Sequence, residues 1–209
     1  MTLVLVEVGK SISNVTENDS TMNREDALTL KAVVLYILKN CSAHVSRNVY
    51  YIVKAAFVAQ QKHLAKYLCP LYEDKITALQ FGPVPSNIYD ALKIARGDAN
   101  AMYFHRNDDL HLVYDAISFS DEIFSATEEP DMNYLSVSAI ECINEALKEV
   151  SSMTFDDIVN ATHGEEWTRA YNNPGSKQMN YLAIAREGGV DESSFSYLKE
   201  NLELDGLLK

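Results

Sequence analysis

The chain of 209 residues is short of several things, and each shortage narrows what it can be. Its eight glycines are scattered, so no Gly-x-Gly-x-x-Gly and no Walker loop is present to cradle a phosphate. It also lacks a Gly-x-Ser-x-Gly elbow and a His-Glu-x-x-His. The three cysteines, Cys41, Cys69 and Cys142, are odd in number and form no Cys-x-x-Cys. That argues against a disulfide framework and for a reducing cytosol. Cys69 follows His63 by six residues, a spacing that sets the two on opposite sides of a helix, so no local Cys–His pair is expected. Carboxylates are plentiful, but no pair is marked out by its setting. The chain is therefore read as not being an enzyme, with no catalytic residue, metal or cofactor assigned. No apolar run approaches the eighteen or so residues of a membrane span. The start, Met1–Val8, lacks the basic region of a signal peptide, so the expected location is the cytoplasm.

Positive charge is scarce too: 18 Lys and Arg stand against 30 Asp and Glu, a net charge of −12. Residues 1–120 carry 12 acidic and 12 basic side chains, whereas residues 121–209 carry 18 and 6, so the imbalance lies in the C-terminal part. Such a surface repels nucleic acid phosphates and attracts basic partners.

What is present centres on residues 71–92. Lys75–Phe81 alternates and reads as a short strand. Gly82-Pro83-Val84-Pro85 reads as a stiff corner, because each proline fixes its own φ and pushes its predecessor out of the helical region. A helix follows to Arg96, capped by Ser86 or Asn87 and stopped by Gly97. Upstream, Asn23 caps a helix over 27–38 that is apolar nearly all round. Residues 49–68 form an amphipathic helix with Lys54, Lys62 and Lys66 on its other face. Downstream, Met102–His105 and Leu110–Tyr114 read as a hairpin around 106–109. His105 and His111 then point to opposite faces, too far apart to share a metal. Residues 115–131 read as an irregular acidic connector. Ser138 with Glu141, and Thr154 with Asp157, read as capping boxes of two further helices. Helices over 177–187 and from Asp191 to about Leu204 complete an α+β, predominantly helical chain with a small, about three-stranded antiparallel sheet. Residues 1–8 read as an edge strand and 11–21 as a linker.

The run Phe81-Gly82-Pro83-Val84-Pro85-Ser86-Asn87-Ile88-Tyr89, preceded by Lys54-Ala55-Ala56-Phe57 and His63-Leu64, resembles the SocA-like antitoxins, the Panacea domain. His163-Gly164, Trp167 and Tyr171 also look like that family's pattern. The likeness runs from about Ala27 to Tyr171. It suggests an extension over 1–21, the domain over 22–171 and a C-terminal helical extension over 172–209. One departure is Gln60 or Gln61, where the family often has Asp.

The resemblance implies an antitoxin that neutralises a cognate toxin by direct contact, with delivery to an ATP-dependent protease as a variant. Aromatic anchors on a preorganised surface serve that role. Tyr72, Phe81, Pro83, Val84 and Tyr89 are placed in or directly behind such a surface, with core the favoured reading for Phe81 and Val84. Lys54 and Lys62 are further candidates, suited to an acidic toxin. Gly82, Pro85 and Trp167 are read as structural. The alternative is a DNA-binding regulator of winged-helix order, with 86–96 as reading helix and 106–109 as wing tip. That helix has only Lys93 and Arg96 against Asp90, too little charge to favour nucleic acid.

Overall fold

In the computed structural model, residues 22–41, 47–105 and 108–208 are described. The edge strand and linker expected over 1–21 lie outside them. Among the described residues are ten α-helices and two separate two-stranded antiparallel sheets, so the class is α+β and mostly helical. No helix among them is long and apolar enough to cross a membrane.

Helix α1 (Arg24–Asn40) begins at Asn23, whose side chain accepts the Asp26 amide at 3.0 Å. Helix α2 (Val49–Tyr67) is capped by Asn48. It was expected to be amphipathic, yet every residue from Ile52 to Gln60 is buried, Lys54 included. The reason is position: α2 runs through the middle of the molecule. It ends at Leu68, whose φ of 59° turns the chain back on itself. That reversal brings Cys69 to His63, against expectation. The His63 Nδ1 lies 2.9 Å from the Cys69 carbonyl and 3.9 Å from its Sγ. A helical spacing argument fails where the helix has already stopped.

Strand β1 (Ile76–Leu79) is followed at once by β2 (Gly82–Pro85), so the expected corner is the return strand of a tight hairpin with Gln80-Phe81 as its turn. The prolines fit because of register. Ala78 faces Pro83 and Ile76 faces Pro85. The Ala78 amide points the other way, to the Lys177 carbonyl at 2.9 Å, and the Ile76 carbonyl accepts from Met179 at 2.8 Å. The positions opposite the prolines therefore need no N–H. Residues 177–179 thereby pair along the free edge of β1, with Thr77 opposite Gln178, where helix was expected.

Helix α3 (Ser86–Ala95) has neither Ser86 nor Asn87 as its cap. The carboxylate of Asp74 serves instead, accepting the Asn87 amide at 2.9 Å and the Ile88 amide at 3.2 Å. Ser86 is drawn off to Thr77, hydroxyl to hydroxyl at 2.8 Å.

The hairpin expected over 102–114 is absent from the described residues there. Instead there are two short helices, α4 (Ala99–Phe104) and α5 (His111–Tyr114). Asp98 caps α4 by accepting the Asn100 and Ala101 amides, which outweighs the strand-like alternation. The wing expected at 106–109 thus has no flanking strands. His105 sits between Asp90 and Asp108, 3.0 and 2.7 Å from their carboxylates, so both ring nitrogens donate and the ring is held protonated.

The connector expected over 115–131 is in fact the second hairpin: β3 (Ile117–Ser120) and β4 (Ile123–Ala126). Its turn, Asp121-Glu122, has positive φ at both residues, 51° and 62°. That geometry suits the right-handed twist of a hairpin. Helix α6 (Val137–Ser151) is capped by Ser136, not Ser138. Helix α7 (Phe155–Thr162) has the expected Thr154–Asp157 capping box. Helices α8 (Glu165–Tyr171), α9 (Tyr181–Glu187) and α10 (Glu192–Leu204) follow, the last capped by Asp191 as expected. Helix α2 lies against α1, β2, α3, α6 and α9, which is why its stretch from Ile52 to Gln60 is buried all round.

Candidate functional site

The differentiated region of the molecule is the β1–β2 hairpin and the side chains that clasp it. The Pro83 carbonyl points away from β1, and the Lys54 ammonium donates to it at 2.9 Å. Lys54 is 1% exposed, and burial lowers its pKa to about 7. Gly82 makes this approach possible. Its φ is +103°, and a Cβ there would lie 2.3 Å from Lys54 Nζ and 2.8 Å from Thr162 Oγ1. The lysine, the glycine and the proline of the sequence motif are thus parts of one contact, not three independent features.

Helices α7 and α8 close over the hairpin, with Thr162 and His163 meeting it beside Gly82. His163 stacks on Trp167 at 3.6 Å and 14°, and Trp167 stacks on Tyr171 at 4.8 Å and 13°. Trp167 Nε1 donates to the Leu79 carbonyl at 3.0 Å, tying the stack to β1. His163 Nε2 is buried without a hydrogen-bond partner. Burial, with Lys54 nearby, pushes the His163 pKa down, so the ring is neutral.

The hairpin is held below by a polar lattice that sequence reasoning missed. Gln60, fully buried, accepts the Leu71 amide at 2.8 Å and donates to the Tyr72 carbonyl at 2.9 Å. An aspartate could only accept, so glutamine at this position adds a donor. The Tyr72 hydroxyl donates to the Ala56 carbonyl. The Tyr181 hydroxyl bonds the Asp74 backbone. Burial lifts the Asp74 carboxyl to about 7, although the Asn87 and Ile88 amides pull it down. The available signals were a polar residue on an apolar stripe, Gln60, and a lone lysine, Lys54, in the run 49–59.

The candidate residues from the sequence divide by depth. Tyr72, Pro83, Val84, Pro85 and Lys54 are buried, Tyr89 is half-buried with Lys93 over its ring, and Phe81 is 53% exposed at the hairpin tip. Lys62 is not near the hairpin clasp. It pairs with Glu149 at 2.9 Å and Lys66 with Glu145 at 2.5 Å, both on α6. His63 joins the same helix pair, donating Nδ1–H to the Cys69 carbonyl and accepting from the Ser138 hydroxyl at 3.0 Å. Burial raises the Cys69 thiol, so this Cys–His neighbour pair does not present a thiolate.

Fold and site define a small, mostly helical protein that packs one β-hairpin against a central helix. A family model, antitoxin SocA-like, Panacea domain, matches residues 52–168. That is more than half of the chain, and it includes both Lys54 and Trp167 at the two sides of the clasp; the chain belongs to this antitoxin family. Comparison with curated proteins and with solved structures found no match.

Proposed function

We propose that the protein neutralises a toxin encoded beside it by direct contact, using the face that borders the β1–β2 hairpin. The observation that carries this reading is the family match over 52–168, which spans the hairpin and both sides of its clasp. Membership of an antitoxin family implies a toxin partner. The geometry supports a contact mechanism. Neutralisation by binding needs a surface already in its bound shape, because ordering costs are then met in folding. The hairpin has that character: its second strand is buried throughout, its outward carbonyl is tied to Lys54, and its tip presents Phe81. The protein acts in the cytoplasm. Handing the bound toxin to an ATP-dependent protease is a variant of the same contact.

The test is co-expression in a bacterial host. The gene flanking this one is induced alone and then with this protein. Growth arrest alone, rescue together and co-purification of the two are expected. Phe81→Ala, which changes an exposed side chain, and Tyr89→Ala, which changes a half-buried one, should weaken rescue while leaving the protein folded. A harmless neighbour, or rescue without a complex, would overturn direct neutralisation.

A further inference from the structure

Three aromatic residues that are distant in sequence meet on the surface. Tyr50 comes from the start of α2, Phe81 from the hairpin turn and Phe155 from the first residue of α7. The Phe81 and Phe155 rings are 5.6 Å apart, edge to face at 67°, and Tyr50 and Phe155 are 4.6 Å apart. Tyr51 adds an edge contact to Tyr50 at 5.5 Å. Yet Phe81 is 53% and Phe155 42% exposed. Nothing in the fold requires this. A two-residue hairpin turn favours Asn or Gly, and the first position of a helix favours no aromatic. Two exposed phenylalanines from separate elements, meeting beside the half-buried Tyr50 of a third, mark an interaction surface.

Charge says what the surface fits. Asp156 is exposed and directly follows Phe155 in the first turn of α7, and Asp157, whose carboxylate accepts from Thr154, comes next. Lys54 lies 5.6 Å from the Tyr50 ring centre, but it is buried and tied to Pro83, so it offers no charge to solvent. The segment that supplies Phe155 belongs to the part of the chain with 18 acidic and 6 basic residues. Electron-rich ring faces beside carboxylates attract a guanidinium or ammonium and repel phosphate.

We propose that the Tyr50–Phe81–Phe155 cluster is the docking surface for a basic protein segment, an arginine or lysine flanked by apolar side chains. In biological terms this rests on the antitoxin reading and assigns the toxin's contacting element its chemistry. Its test does not use the toxin, so the two readings fail separately.

A random dodecapeptide display library is panned against the immobilised protein, with a Phe81→Ser/Phe155→Ser variant as counter-target. Neither phenylalanine is buried, and thermal unfolding verifies that the variant folds. Peptides enriched on the wild type should carry Arg or Lys beside apolar residues. A resynthesised peptide, followed by fluorescence anisotropy, should bind the double variant roughly tenfold or more weakly. It should also weaken for Asp156→Lys and with rising salt. The proposal is overturned if no peptide distinguishes wild type from the double variant, or if the enriched peptides are acidic or uncharged. It is also overturned if wild type self-associates through this surface while the double variant stays monomeric, because a second copy would then be the occupant.

Discussion

At the scale of single residues, Lys54 and Gly82 depend on each other. A side chain at Gly82 meets two obstacles, a φ of +103° and the Lys54 ammonium at 2.3 Å from the new Cβ. Gly82→Ala is expected to lower stability by about 1–3 kcal/mol from backbone strain, with the clash adding to it. Denaturant unfolding of Gly82→Ala, Lys54→Ala and the double variant checks this. The clash disappears once the lysine is gone, so the two costs should sum to more than the double variant loses. Full additivity would mean that the lysine does not limit the glycine. Lys54 also makes stability depend on pH. Its folded pKa of about 7 lies below the ordinary 10.5, so between those values the unfolded chain holds a proton that the folded chain has released. Stability therefore rises with pH across that window. Lys54→Met removes the effect. The stability of the variant minus that of wild type should fall as pH goes from 7 to 10, and a flat difference would refute the assignment.

At the scale of elements, α3 starts correctly only because Asp74 caps it from thirteen residues away. Asp74→Ala leaves two amides at the buried start of the helix without an acceptor, and about 2 kcal/mol or more should be lost in chemical denaturation. The sign of its pH dependence opposes that of Lys54. The Asp74 carboxyl is raised from 3.8 to about 7, so between those values the folded chain holds a proton that the unfolded chain has lost. Stability from this group is full below about pH 4 and declines as pH rises to 7. Asp74→Asn, which keeps an acceptor, should flatten that decline in melting temperatures measured from pH 4 to 7, and a slope unchanged from wild type would contradict it. The α2–α6 contact shows the contrast between buried and exposed charge. Lys62 and Lys66 pair with Glu145 and Glu149 at the surface, where such pairs contribute about 1 kcal/mol or less.

At the scale of the whole molecule, the C-terminal residues complete the hairpin region. Residues 177–179 pair along β1, Tyr181 bonds the Asp74 backbone, and α9 lies against α2. A chain ending at Tyr171 would leave the Ala78 amide without its acceptor and expose the side of α2 that α9 covers. Such a truncation is expected to lose cooperative unfolding, followed by circular dichroism on heating. A cooperative transition at the wild-type midpoint would show these residues to be dispensable to the fold.

The sequence alone determined the features that depend on neighbours in the chain. The mostly helical class, the starts of α1, α7 and α10 at Asn23, Thr154 and Asp191, and the family likeness through Phe81–Tyr89 are of this kind. These rest on side chains that bond backbone amides within a turn, or on an unbroken motif, and both can be read locally. Only the tertiary structure decided the rest. It buried Lys54, gave α3 a cap at Asp74 and brought Cys69 back to His63. It made a hairpin of Asp121-Glu122, whose turn lacks the usual Asn-Gly, and it gathered Tyr50, Phe81 and Phe155 from three elements. Each of these depends on which surfaces α2 meets, and spacing along the chain carries no record of that. Charge and polarity in a sequence describe what a side chain is, whereas its depth and its partners are set by the elements that close around it.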